Sequence, residues 1–113
     1  MILYGIKNCD TVKKARAWLD ARGLAYDFHD YKSAGIDAAR LDAWIADFGW
    51  EKVLNRAGTT FRKLPDVDKE GLDARKSAAL LLTQPSMIKR PILEAGDGLR
   101  LIGFKEAEWA KAL

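Results

Sequence analysis

Two strand-like runs flank one helical stripe within residues 2–30, and that pattern leaves few folds open. Ile2, Leu3, Tyr4 and Ile6 make a short apolar run that reads as a buried strand. Lys7 to Thr11 interrupt it with polar groups. Val12, Ala15, Trp18 and Leu19 then recur at helical spacing, and Gly23 falls where a helix C-terminus takes a left-handed residue. Leu24, Tyr26 and Phe28 alternate at period two, which predicts a strand over residues 24–31. Two strands joined through a helix in so short a length form a parallel crossover near the minimum size for one.

The remainder divides into helices and a closing hairpin. Asp37 is a good N-cap for a helix over 37–48, with Ile36 and Leu41 in the positions of a hydrophobic staple. Leu41, Trp44, Ile45 and Phe48 share one face, and Gly49 stops the helix. Trp50 to Leu54 add a short helical turn, residues 56–60 read as a loop, and residues 70–83 are rich in helix formers up to Gln84-Pro85. Pro91 opens the apolar pair Ile92-Leu93, Gly96-Asp97-Gly98 turns the chain, and Leu99 to Ile102 return it. This is a hairpin with a loop of about three to four residues. Phe104 to Leu113 predict a last short helix with Trp109 inward. Trp18, Trp44 and Trp109 all sit at core positions, and Trp50 is partly exposed. The order β-α-β, helices, β-β-α predicts an α/β fold: a four-stranded mixed sheet flanked by helices. One domain spans residues 1–113, with a helical insertion over 33–84 between the two sheet-forming parts.

Composition excludes several classes. With 49% apolar and 31% charged residues the chain is globular, not disordered. Its net charge of +3 is spread over interspersed charges with no run of five like signs, which predicts a solvated surface and not a nucleic-acid partner. The first residues lack the pattern of a secretory leader, and no stretch of 18 apolar residues offers a membrane span. A single cysteine cannot close an internal disulfide. The expected compartment is the reducing cytoplasm, with no membrane partner.

That cysteine, Cys9, falls between the first strand and the helix after it. A thiolate, not a thiol, is the nucleophile, and an ordinary cysteine with a pKa of about 8.5 is only a few per cent ionised at pH 7. Unpaired N–H groups and the macrodipole at a helix N-terminus favour the anion. Lys7, Lys13 and Lys14 add positive charge nearby in sequence, and Asp10 opposes them. Such polar neighbours argue against an inert cysteine packed as a small hydrophobe. Residues 9–12 read Cys-Asp-Thr-Val, so no Cys-x-x-Cys couple exists and a resolving thiol must come from another molecule, with glutathione as the cytoplasmic source. Asn8 and Thr11 stand ready as donors to the sulfur or a bound anion, or equally as helix caps.

Arg56 and Arg90 can each grip a carboxylate or oxyanion with a bidentate fork, although composition alone reads both as surface residues. A cis bond between Arg90 and Pro91 would present backbone polar groups to a ligand. His29, the one histidine, lies between Asp27 and Asp30 and reads as a solvent-facing strand residue before it reads as a partner for Cys9. One His and one Cys fall short of a zinc site, so no metal is expected. No glycine-rich phosphate loop occurs.

Cys9 after a first strand, Asn55-Arg56, and Ile88-Lys89-Arg90-Pro91-Ile92 ahead of a glycine-rich hairpin together resemble the arsenate reductase (ArsC)/Spx superfamily, in its YffB-like branch. The likeness runs in order along essentially the whole chain, and the Ile-x-Arg-Pro-Ile segment is its most specific part. The resemblance implies a thioredoxin-like fold with a helical insertion. It implies Cys9 as the attacking thiolate, Arg56 and Arg90 as binders of an oxyanion, and a cis Pro91 beside the sulfur. The activity it implies is that of a glutathione-dependent thiol reductase acting on a thiol or oxyanion substrate. An Spx-like regulator that binds proteins without catalysis, and an arsenate reductase, are the alternatives. Two departures bear on these. The family's arsenate reductases carry Cys-Gly-Thr-Ser-Arg where this chain has Cys9-Asp10-Thr11-Val12-Lys13, and a third arginine where this chain has Gly103. Spx proteins often use a Cys-x-x-Cys pair, which is absent here.

Overall fold

The computed structural model describes all residues 1–113. Its chain forms two compact units: Met1–Ala34 with Arg90–Leu113, and Gly35–Lys89. The first unit holds the sheet. Strands β1 (Ile2–Gly5) and β2 (Asp27–Asp30) are joined through helix α1 (Asp10–Ala21), and a one-turn helix α2 (Tyr31–Ala34) follows β2. After the second unit come β3 (Ile92–Gly96), β4 (Leu99–Ile102) and a terminal helix over Glu106–Ala112.

The four strands lie in the order β2-β1-β3-β4. β1 and β2 are parallel, with Leu3 opposite Phe28 and Gly5 opposite Asp30. β3 is antiparallel to β1, with Tyr4 opposite Ile92, and β4 is antiparallel to β3. This is the mixed, helix-flanked sheet that the sequence predicts. Leu3, Ala15, Leu19, Leu93 and Trp109 form its buried core, with Trp18, Leu24, Tyr26, Phe28 and Phe104 packed against them. Each fully buried Leu contributes about 1.5–3 kcal/mol. The Trp109 ring meets Phe104 at 4.9 Å and Trp18 at 6.1 Å, both edge-on, and its indole N–H donates to the Gly103 carbonyl at 3.0 Å. Edge-on contacts of this kind add about 0.5–1.5 kcal/mol each.

Several boundaries differ from the sequence reading. The second strand is only Asp27–Asp30, because Asp30 turns the chain. Its side chain accepts from the Lys32 N–H at 3.0 Å, and the Ser33 hydroxyl donates to its carbonyl at 3.2 Å. An aspartate that bonds the backbone two residues on competes with the strand ladder and starts a turn. Tyr31 therefore begins a helix. The hairpin between β3 and β4 is tighter than predicted: only Asp97 and Gly98 connect the strands, both at positive φ (54° and 78°), which is the twist-matching two-residue turn. The sheet absorbs the remaining residue as an irregularity between Glu94 and Gly96.

The second unit is helical: α3 (Ala38–Phe48), α4 (Trp50–Val53), α5 (Thr59–Arg62), α6 (Asp66–Lys69), α7 (Ala74–Thr83) and a 3-10 turn at Pro85–Met87. The terminal helix is accordingly α8. Asp37 caps α3 as predicted, accepting from the Arg40 N–H at 2.7 Å, and Gly49 ends it. The expected helix over 70–83 starts later than predicted. Asp73 caps it, accepting from the Lys76 N–H at 2.8 Å, and residues 70–72 connect α6 to α7 without belonging to either. The expected loop at 56–60 already enters α5 at Thr59. Leu41, Trp44, Val53, Leu54, Leu81, Met87 and Ile88 are the buried apolar residues of this unit.

Candidate active site

Strand direction decides where the chemistry of the sheet unit collects. β1 and β2 run parallel and end side by side at Gly5 and Asp30. β3 runs the other way, and its first residue, Ile92, pairs with Tyr4 near the same end. Residues just after β1, just after β2 and just before β3 therefore share one end of the sheet, the carboxyl end of its parallel strands, where α/β folds commonly place their sites. Those residues are Cys9, Tyr31 and Arg90.

Cys9 occupies the N-cap position of α1 with extended backbone angles (φ −143°, ψ 124°), and its carbonyl accepts the first helical bond from the Lys13 N–H at 2.9 Å. Its side chain makes no capping hydrogen bond, and the residue is half-buried. Asn8 and Thr11 are exposed on either side of it, and the cap position belongs to the cysteine instead of to them. Gly5 makes this junction possible. A Cβ there would lie 2.8 Å from a Val12 methyl, closer than such atoms approach, so only glycine lets the start of α1 lie against the end of β1.

Tyr31 is fully buried and shares a side-chain hydrogen bond with Arg90. A guanidinium has donors only, so the phenol oxygen accepts. Burial pushes the Tyr31 hydroxyl well above its ordinary pKa, against the opposing pull of the Arg90 charge, and Cys9 is near enough for its charge to act on the same phenol. Arg90 is half-buried, and its bond to the buried Pro91 is cis. The Pro91 carbonyl accepts from the Gly103 N–H at 2.8 Å, and Gly103 in turn accepts from Trp109, which ties the start of β3 to the aromatic core. Gly103 has φ +68°, a conformation that an arginine would adopt only with strain.

Arg56 lies in the helical unit, exposed in the loop after α4, with its guanidinium 5.5 Å from the centroid of the Trp50 ring. Such a contact is worth about 0.5–1 kcal/mol at an exposed position. Asn55 shapes this loop. Its side chain accepts from the Ala57 N–H at 3.3 Å, and its own N–H donates to Met87 at 2.8 Å. His29 is half-buried, not open to solvent: it pairs across the sheet with Tyr4, their ring centroids 5.1 Å apart. No group of three or more His, Cys, Asp and Glu side chains assembles that could hold a metal ion. No helix is long and apolar enough to cross a membrane.

Tyr31 is the residue that sequence reasoning missed. It falls inside the strand predicted over 24–31 but out of phase with Leu24, Tyr26 and Phe28, so the alternation assigns it no role. The signal that would have separated it is its break from the period-two phase together with Asp30, an N-cap residue type, directly before it.

A β-α-β unit that continues into a hairpin, with a half-buried thiol heading the first helix and a cis-proline opening the third strand, defines a thioredoxin-like fold of the arsenate-reductase type. The chain belongs to the ArsC family, whose model matches residues 4–112. A solved structure described as the YFFB protein is 61% identical, covers 99% of this chain and 97% of its own, and superposes with a TM-score of 0.96. An arsenate reductase (ArsC) related protein of Brucella melitensis is 54% identical over 97% of this chain and 91% of its own, with a TM-score of 0.77. The global transcriptional regulator Spx of Streptococcus mutans is 27% identical over 94% of this chain and 77% of its own length. Family membership and these neighbours support a thiol oxidoreductase.

Proposed function

We propose that this protein is a glutathione-dependent thiol reductase with Cys9 as its nucleophile. The observation that carries the reading is the gathering of Cys9, at the head of α1, with the Tyr31–Arg90 pair at one end of the sheet. In the simplest cycle the Cys9 thiolate attacks the glutathione sulfur of a mixed disulfide. A Cys9–glutathione disulfide forms and the substrate thiolate leaves. A second glutathione thiolate then attacks that glutathione sulfur, giving oxidised glutathione and regenerating the Cys9 thiolate. Arg90 supplies a fork for a glutathione carboxylate or a substrate oxyanion, Asn8 and Thr11 flank the sulfur as donors, and Pro91 borders the site; Arg56, in the helical unit, offers a fork of its own for an oxyanion. The cytoplasm, where glutathione is kept reduced, is the compartment this chemistry needs.

The test is intact mass after incubation with oxidised glutathione. The wild type gains one glutathionyl adduct, and Cys9→Ser gains none. A wild type without adduct, whose alkylation follows pH as a free thiol does, defeats the reading.

The Spx relative favours a second reading, a protein-binding regulator without catalysis. Under it, a stoichiometric cytosolic partner is retained equally by wild type and Cys9→Ser. Arsenate as substrate is the weaker third reading, because Gly103 supplies no guanidinium. Arsenate reduction with glutathione and glutaredoxin, lost in Arg90→Ala, would restore it.

A further inference from the structure

We propose that Tyr31 is a positioning residue for the thiol chemistry: its buried hydroxyl holds the Arg90 guanidinium at the Cys9 end of the sheet without cancelling its charge. The inference rests on the reading of Cys9 as the reactive atom. An arginine side chain has many rotamers to lose, so one that must meet an anion at a fixed place needs an anchor. A carboxylate is the usual anchor, but it neutralises the charge it holds. Asp30, the carboxylate next to Tyr31 in sequence, accepts from the Lys32 N–H at 3.0 Å, and its charge also acts on the Tyr31 phenol. The Tyr31 phenol takes up Arg90, and it is fully enclosed where the chain leaves β2. Enclosure keeps the phenol protonated throughout the range in which thiols react, so the phenol adds no negative charge to the guanidinium it holds. The Cys9 charge acts on the same phenol, and Cys9, Tyr31 and Arg90 all adjoin the same end of the sheet, where β1 and β2 finish and β3 begins. The ligand chemistry this favours is anionic: a thiolate in the resting protein, a carboxylate of the incoming thiol reagent during turnover.

The experiment compares alkylation of Cys9 in the full chain by iodoacetate, an anion, and by iodoacetamide, which is neutral. A fixed cation near the sulfur raises the first rate relative to the second. Tyr31→Phe is expected to lower the ratio about fivefold, the scale of one displaced charge in a partly screened site. Arg90→Gln should lower it as far, and the double variant no further. A ratio within twofold of wild type in Tyr31→Phe, or independent losses in the two single variants, overturns the proposal, because a residue that merely fills space would not move it. If Tyr31→Phe does not keep native circular dichroism, Arg90→Lys serves instead, since it keeps the charge but not the fork. A fall in the ratio supports the anchoring, and an unchanged ratio overturns it. Absence of a glutathione adduct in the wild type would defeat the reductase reading without altering this ratio, so the two failures are separable.

Discussion

In the sheet unit each strand finds its neighbour through side chains that alternate or cluster, and the buried residues come from four elements at once: β1, α1, β3 and α8. In the helical unit α5 and α6 are single turns of four residues, and neither buries a side chain fully. What organises residues 62–76 is polar. The Lys69 ammonium donates to the Arg62 carbonyl at 2.7 Å, and the Lys76 ammonium donates to the Val67 carbonyl at 2.9 Å and also to that of Glu70. This unit also encloses a serine hydroxyl, Ser77, that has no hydrogen-bond partner. One region is held by apolar interlock and the other, along this stretch, by cations placed on carbonyls. Substitutions should therefore cost very different amounts in the two.

The largest effect is expected at Trp109, which is enclosed by Phe104 and Trp18 and bonded to Gly103. Trp109→Ala should remove about 3–5 kcal/mol, read as a fall in the urea midpoint. It should also loosen the start of β3, because Gly103 links Trp109 to Pro91. A loss below 1 kcal/mol would mean that the aromatic group does not anchor the sheet unit, and the contrast with the helical unit would collapse.

The next effect tests close approach instead of burial. Gly5→Ala places a methyl 2.8 Å from Val12 and should cost about 1–3 kcal/mol, as overpacking does. Pairing it with Val12→Ala should recover part of the stability lost to Gly5→Ala. If the two losses simply add, the contact is not what requires glycine. This pair also sharpens the site argument, because Gly5 and Val12 lie on the two elements that the turn with Cys9 joins.

The same contrast explains what was legible in the sequence. The strands at 2–6 and 92–102, the crossover helix and the Asp37-capped helix were readable, because burial on one face writes a period into the residues. The Cys9 position followed from that pattern, since the polar break between strand and helix is where a reactive thiol can sit. The short turns at 59–62 and 66–69 were not readable: four residues hold barely one helical period, and their partners are backbone carbonyls with no side-chain signature. The exit from β2 was set by a local bond of Asp30, which ends the strand one residue before the predicted limit at Tyr31. The partner of Arg90 was hidden as well. A neutral phenol that accepts from a guanidinium carries no opposite charge that would mark it in a sequence.

The smallest effect probes the helical unit on its own terms. Lys76 leaves α7 near its N-terminus and donates to carbonyls of Val67 and Glu70, which lie in and just after α6. Lys76→Met keeps a stem of similar length and removes only the donor. Hydrogen bonds from a charged group contribute about 1.5–3 kcal/mol when enclosed, but this one is open to water, so a global loss of about 0.5–1 kcal/mol is expected. The more discriminating readout is local. Hydrogen exchange of the 66–73 amides should quicken while those of β1 and β3 stay as in the wild type, because the ammonium holds that stretch and not the sheet. High salt should not mimic the substitution, since the acceptors are carbonyls with no net charge to screen. Should 66–73 exchange unchanged in Lys76→Met, the turn is held by its own backbone, and the helical unit would then differ from the sheet unit in the length of its elements instead of in the kind of force that orders them.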